Sequence, residues 1–253
     1  MSADVTWNED RTFRQQIVEV HRHLYNLGFS VANDGNTSVR VDPKRILITP
    51  IGVSKARLTP DQMVLLDMEG NPVGASAYAP SSEKALHVAI YRVRPDIRAI
   101  IHAHPPFAIA CSLAGVSLSD YFLPEIILSL GKIPTVQYVT PSTKEFGEAA
   151  AEQAKKHDAL ILDRHGTVTV GTTLDEAMER VERLEQAAKI AMLARAMGTV
   201  TPLPKTEVDR LLEISHAPRE SEDEKPKEAG RHSYDPALIE LITREVKAAL
   251  KRD

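Results

Sequence analysis

The chain has 253 residues, of which 43% are hydrophobic, enough for one substantial core, and this sets a single domain as the expectation. A formal net charge of −4 offers no basic surface for a polyphosphate, which argues against nucleic acid as a partner. The single cysteine, Cys111, can form no internal disulfide, and no stretch reads as a secretory leader or a membrane span, so a reduced, cytoplasmic setting without membrane contact is expected.

Residues 9–27 carry Phe13, Ile17, Val20, Leu24 and Leu27 at helical spacing. Gly28 then stands where a helix C′ residue belongs, so an amphipathic helix should stop there. Asn33-Asp34-Gly35-Asn36 is a polar turn entering an alternating strand, Thr37 to Val41. It reads either as a hairpin-type turn needing positive φ at Gly35, or as a loop whose Gly35 and Asn36 present donors to an anion. A second strand, Arg45 to Thr49, runs into Pro50-Ile51-Gly52, and a third, Met63 to Met68, ends at Glu69-Gly70-Asn71. Short strands punctuated in this way predict antiparallel pairing. A helix opens near Ser81-Ser82-Glu83, buries Leu86, Ile90 and Val93, and ends before Pro95.

Ala99-Ile100-Ile101 then leads into His102-Ala103-His104. A strand's period of two puts both imidazoles on one face, as a pair of metal ligands would be. Pro105 to Ala114 reads as a helix with proline in its first turn, and residues 119–141, with four turn-forming residues, as loop, short helix and strand. Ser142-Thr143-Lys144-Glu145 has the form of a capping box opening a helix to about Lys156. Two β-rich runs flank the turn at His165-Gly166. A second box, Thr173-Leu174-Asp175-Glu176, opens a long helix with Ala177, Val181, Leu184, Ala188, Ala191 and Met192 on one face, ended by Gly198.

Helices and strands intermix without the βαβ rhythm and Gly-rich first turn of a doubly wound sheet. The expected fold is therefore a layered α/β/α single domain around a mainly antiparallel sheet, spanning residues 1–215. Residues 216–233 are charged on both signs and hold almost no large apolar side chain, as a flexible linker does. Residues 234–253 are expected to form an amphipathic helix, with Asp235 as N-cap, Pro236 in the first turn and an apolar stripe from Leu238 to Leu250. Marginal alone, that helix needs another surface, on its own domain, a neighbouring subunit or a partner. Three histidines and one glutamate, each at the end of an element, make a plausible zinc site with an exchangeable position.

Taken together, Gly35-Asn36-x-Ser38, Ser81-Ser82-Glu83, His102-x-His104 and His165-Gly166, in order between about residues 10 and 205, resemble the class II aldolase/adducin family. The resemblance is closest to its zinc-dependent L-fuculose-1-phosphate aldolases. It implies Zn2+ on His102, His104 and His165 with Glu83, which doubles as the catalytic carboxylate. It also implies a substrate phosphate held by Gly35, Asn36, Gly52, Ser81 and Ser82, and a homotetramer with sites between subunits. The reaction implied is cleavage of a phosphorylated ketose to dihydroxyacetone phosphate and an aldehyde such as lactaldehyde, through a zinc-stabilised enediolate. Adducins lack the ligands, and the family's epimerases usually carry aspartate where this chain has Glu83, so the intact set points to an aldolase. A dehydratase, a decarboxylase and a 4-epimerase are the alternatives on the same metal site, with a non-catalytic adducin-like module behind them.

Two positions depart from the family's pattern. Ile51 precedes Gly52 where a hydroxyl usually binds phosphate. The family's proton-donating tyrosine from the adjacent subunit should fall near residues 121–125, where direct alignment gives Leu123, with Tyr121 and Glu125 as candidates. Finally, the linker and terminal helix resemble the peptides that load enzymes into bacterial microcompartments, which makes a shell protein a candidate partner of residues 234–253 and a compartment a candidate location.

Overall fold

The computed structural model describes residues 7–120 and 122–215. Tyr121, the linker 216–233 and the tail 234–253, on which expectations were set, lie outside the described residues. Seven strands form one sheet: β1 (Asn36–Asp42), β2 (Arg45–Ile48), β3 (Val64–Asp67), β4 (Ala99–Ala103), β5 (Thr135–Val136), β6 (Ala159–Leu162) and β7 (Gly166–Gly171). Their order is β3-β2-β1-β4-β7-β6-β5, and all neighbours are antiparallel except β5 and β6. The helices are α1 (Trp7–Asn26), α2 (Lys84–Val93), α3 (Pro106–Leu113), α4 (Pro124–Ser129), α5 (Lys144–Ala154), α6 (Leu174–Met197) and α7 (Lys205–Ile214). None of them is long and apolar enough to cross a membrane.

The period of two on the central strand sorts the layers. Ile100 faces α2 and α5, in a core with Ile46, Leu66, Leu86, Ile90, Phe146 and Leu160. Ile101 and Ala103 face α1 and α6, packing with Ile17, Leu24, Ala177 and Val181. Burying each such Leu or Ile is worth about 1.5–3 kcal/mol, and the two cores fix the strand that carries the histidines. The α2/α5 face is tight, because a Cβ on Gly147 would stand 2.8 Å from the Ala85 carbonyl oxygen. The layered α/β/α expectation thus holds for the described domain.

The end of α1 feeds the site directly. Gly28 adopts φ +76°, its N–H bonds the Tyr25 carbonyl at 3.1 Å, and the Phe29 N–H bonds the Leu24 carbonyl at 2.8 Å. This is a Schellman close, the one that a glycine at C′ permits. The Phe29 carbonyl then accepts the His104 N–H at 2.8 Å, so the helix stop and the second histidine are linked.

Several local expectations are corrected. Ser142 sits at φ 65° and is not the cap of α5; Thr143 is, its hydroxyl accepting the Phe146 N–H at 3.2 Å. In the second box only half the reciprocity forms, since the Glu176 carboxylate takes the N–H and hydroxyl of Thr172 rather than the Thr173 N–H. α2 starts at Lys84, after a turn made by Ser81-Ser82-Glu83. The short helix α7 and the 3-10 turns Lys55–Arg57 and Pro60–Gln62 were not foreseen.

Candidate active site

β4 presents His102 on the α2 face, opposite Asn36 on β1 and Val168 on β7. His104 follows two residues later on the same side, and His165 lies in the turn from β6 to β7, its N–H on the Leu162 carbonyl at 3.1 Å. The turn can come this close because Gly166 follows. A Cβ there would stand 2.5 Å from the Ala103 carbonyl oxygen, 2.8 Å from His104 Cδ2 and 3.0 Å from His102 Cε1. Gly35 is similarly constrained, with φ +75° and the His102 carbonyl oxygen 2.8 Å from where a Cβ would be. The positive φ expected of Gly35 is therefore met, although its turn joins α1 to β1 and is no hairpin, and the residue also lines the cavity described below.

The three rings pack edge to face with centroids 4.8, 4.8 and 5.0 Å apart, and one ligand atom from each lies within 4.8 Å of the others. Fully buried His102 faces the Thr167 carbonyl with Nδ1 at 2.9 Å, which makes Nδ1 the protonated nitrogen and leaves a lone pair on Nε2. That lone pair faces His104 Nε2 at 2.9 Å and Glu83 Oε2 at 3.2 Å, and His165 Nε2 is 3.4 Å from Glu83 Oε1. Burial, then the neighbouring imidazoles, drives His104 to about 3; burial also pushes His102 well below its ordinary range and lowers His165. At neutral pH the cluster thus comprises uncharged imidazoles converging with a carboxylate, a donor set that suits a divalent metal ion.

Glu83 stands at the N-cap position of α2 and is held from below. The Asn36 amide donates to Glu83 Oε2 at 2.7 Å, and Asn36 Oδ1 is 2.5 Å from His87 Nε2. With the amide nitrogen committed to the carboxylate, its oxygen must accept, so His87 carries its proton on Nε2. His87 Nδ1 then accepts from the Ser38 hydroxyl at 2.7 Å, and the Tyr91 hydroxyl donates to the Ser38 carbonyl at 3.0 Å. Burial keeps His87 neutral by pushing it down to about 4. Asn36 therefore orients Glu83, a role that sequence reasoning missed together with His87 and Tyr91. A signal was there, because Glu83, His87 and Tyr91 recur every four residues and so share a helix face.

Above the histidines opens a cavity of about 190 Å³ lined by Gly35, Asn36, Gly52, Ser81, Ser82, Glu83, His104 and His165, along with Lys55 and Ser142. Three loops converge on it: the Ser81 N–H bonds the Thr49 carbonyl at 3.0 Å, Ile51 N–H the Ala79 carbonyl at 3.1 Å, and Lys55 N–H the Ala32 carbonyl at 2.9 Å. The expected phosphate residues are thus brought together with the histidines. Ile51 lines the cavity as well, 49% exposed, and brings no hydroxyl to it. Glu125 is exposed in the first turn of α4, and Leu123 lines a separate apolar crevice with Leu118 and Ile126, so neither borders this cavity within the chain. Lys55, buried in its wall, was not foreseen.

The comparisons with known proteins agree with this geometry. Residues 15–192 match the Class II Aldolase and Adducin N-terminal domain. The chain is 34% identical over 185 residues to a 3-oxo-tetronate 4-phosphate decarboxylase of Haemophilus influenzae, covering 72% of this chain and 87% of that one. It is also 34% identical over 180 residues to an L-fuculose phosphate aldolase of Methanocaldococcus jannaschii, covering 71% and 96%. Among solved structures, YgbL of Escherichia coli, described as a putative aldolase/epimerase/decarboxylase, superposes with a TM-score of 0.73 at 27% identity, covering 80% of this chain and 99% of that one. The matched length, the sheet order and the histidine–glutamate cluster make the chain an enzyme of the class II aldolase superfamily.

Proposed function

We propose that the enzyme is a zinc-dependent decarboxylase of a phosphorylated 3-oxo sugar acid, 3-oxo-tetronate 4-phosphate being the substrate that its relatives suggest. The observation that carries this reading is one buried carboxylate, Glu83, beside three neutral imidazoles at the mouth of a cavity with a serine- and glycine-lined end. Zn2+ held by His102, His104 and His165, with Glu83 at its side, would supply a Lewis acid for the negative charge that develops on the substrate's carbonyl oxygen. The chain's own groups account for the rest. Gly35, Asn36, Gly52, Ser81 and Ser82 seat the phosphate through backbone, amide and hydroxyl donors. The bond from the carboxyl carbon to C2 breaks, carbon dioxide leaves, and the electron pair remains as an enediolate over C2 and C3. Glu83, aimed by Asn36, takes a proton from solvent and passes it to C2, and dihydroxyacetone phosphate results.

The sequence had favoured an L-fuculose-1-phosphate aldolase, and the Methanocaldococcus jannaschii relative keeps that as the second reading. Both reactions leave the same enediolate, but aldol cleavage also needs a group to take the hydroxyl proton of the departing aldehyde. Leu123 stands where the family's tyrosine for that task would align, and a leaving carbon dioxide needs no such group. A coupled assay for dihydroxyacetone phosphate tests the choice, with 3-oxo-tetronate 4-phosphate and L-fuculose 1-phosphate offered separately. Release from the first only, abolished in Glu83→Gln, supports the decarboxylase; release with lactaldehyde from the second moves the assignment to the aldolase, with Tyr121 as the group that takes the hydroxyl proton. The homotetramer, the linker at 216–233 and shell docking by residues 234–253 belong to the same proposal. Unchanged co-localisation with shell proteins after deletion of residues 217–253 would remove the last of these.

A further inference from the structure

Lys55 opens the 3-10 turn Lys55–Arg57, and the residue is only 2% exposed. Its ammonium makes one long hydrogen bond among the described residues, 3.4 Å to the Pro50 carbonyl oxygen. Two of its three N–H donors have no protein acceptor there, and among the described residues no carboxylate forms an ion pair with it. Asp34 and Glu83 act on it only through space, and burial outweighs them, pushing the ammonium down to about 8. An unpaired charge at this depth costs stability and is not a feature that packing alone would keep. It lies where the 31–35 loop, the 49–52 turn and the 80–83 turn meet, in the wall of the cavity that Gly52, Ser81 and Ser82 also line. Beside it Ile51, which also lines the cavity and is half-exposed, offers no hydroxyl.

We propose that Lys55 is the cationic ligand of the substrate's phosphate, supplying from the cavity wall the contact that the side chain at position 51 does not. The chemistry recognised is a phosphate monoester dianion, and the buried ammonium discriminates against the unphosphorylated sugar acid. The inference rests on the proposed function only in requiring a phosphorylated substrate; which carbon–carbon bond breaks does not affect it.

The test is calorimetric binding of inorganic phosphate, and separately of threonate, to the full-length, metal-loaded enzyme and to Lys55→Met. Removing one charge-assisted contact should weaken phosphate binding at least about tenfold, leave threonate binding unchanged and raise KM for the phosphorylated substrate far more than it lowers kcat. Lys55→Arg should restore part of the loss. Because the variant no longer buries an unpaired charge, it should melt no lower than the wild type at neutral pH. Phosphate binding in Lys55→Met equal to that of the wild type overturns the proposal, as does weakened threonate binding with phosphate binding intact. Should the variant fail to fold, the lysine side-chain NMR signal of the wild type decides: a Lys55 ammonium resonance unmoved by phosphate refutes it. An enzyme that binds phosphate through Lys55 yet cleaves neither offered substrate would count against the proposed reaction and leave this inference standing.

Discussion

Replacing His87 with phenylalanine keeps a ring of similar size in the core and removes both nitrogens. Ser38 retains a neighbour, the Tyr91 hydroxyl at 3.0 Å, but Asn36 Oδ1 is left buried without a donor. One such orphaned group costs about 1–3 kcal/mol of stability. The larger consequence is functional. Without His87 the Asn36 amide is held by Glu83 alone and loses its anchor on the far side, so the hydrogen bond that aims Glu83 loosens; such a bond to a charged carboxylate is worth about 1.5–3 kcal/mol. At about 1.4 kcal/mol per decade, kcat should fall about tenfold to a hundredfold, with KM changed less because Gly35, Gly52, Ser81 and Ser82 are untouched. Steady-state release of dihydroxyacetone phosphate, alongside thermal melts and metal analysis, measures this. His87→Gln, which can again donate to Asn36, should recover much of kcat. A His87→Phe enzyme that melts lower yet turns over at the wild-type rate would show that the buried chain only packs and does not aim Glu83.

Lys55, whose ammonium burial pushes down to about 8 from the ordinary 10.5, binds its proton less tightly folded than unfolded. Wild-type stability should therefore rise relative to Lys55→Met as pH climbs through that window, by about 3 kcal/mol, as seen in chemical denaturation at a series of pH values. Gly166→Ala, whose added methyl group collides with the Ala103 carbonyl and two histidine rings, should fold with much reduced bound metal, as read by elemental analysis; full metal content would mean that the turn relaxes. Glu185 on α6 accepts the Phe107 and Ala108 N–H groups at 2.9 and 2.8 Å, capping α3 just after His104. Glu185→Ala should lower stability by about 1–3 kcal/mol in urea unfolding, and an unchanged midpoint would show that water replaces the cap.

Much of this site was legible because it follows from local periodicity. His102 and His104 share a face by the strand's period of two, and the punctuation at His165-Gly166 placed the third imidazole in a turn. Lys55 was not legible, because Val53-Ser54-Lys55-Ala56-Arg57 reads as a solvated loop. Its burial comes from the Ala32 and Pro50 carbonyls, which are distant or irregular neighbours in the sequence. The second role of Asn36 was hidden for a related reason: an amide beside a glycine turn suits an anion, and only the antiparallel register of β1 with β4 brings it over Glu83 and His87. Two cap-forming residues in tandem, Ser142 and Thr143, left the start of α5 open until the positive φ at Ser142 settled it. α7 was missed since ten residues between prolines and a polar stretch carry too short a stripe to stand out. The choice between decarboxylase and aldolase lies outside local pattern altogether, because both reactions need the same histidines and the same carboxylate.

The most direct test of the account is hydrogen exchange on the shared product. Dihydroxyacetone phosphate incubated with the zinc-loaded enzyme in D2O should exchange a proton of its hydroxymethyl group, seen by proton NMR, and Glu83→Gln should abolish that exchange while retaining metal. Exchange that persists in Glu83→Gln, or is absent from the metal-loaded wild type, would contradict the assignment of Glu83 as the group that moves the proton at the enediolate carbon.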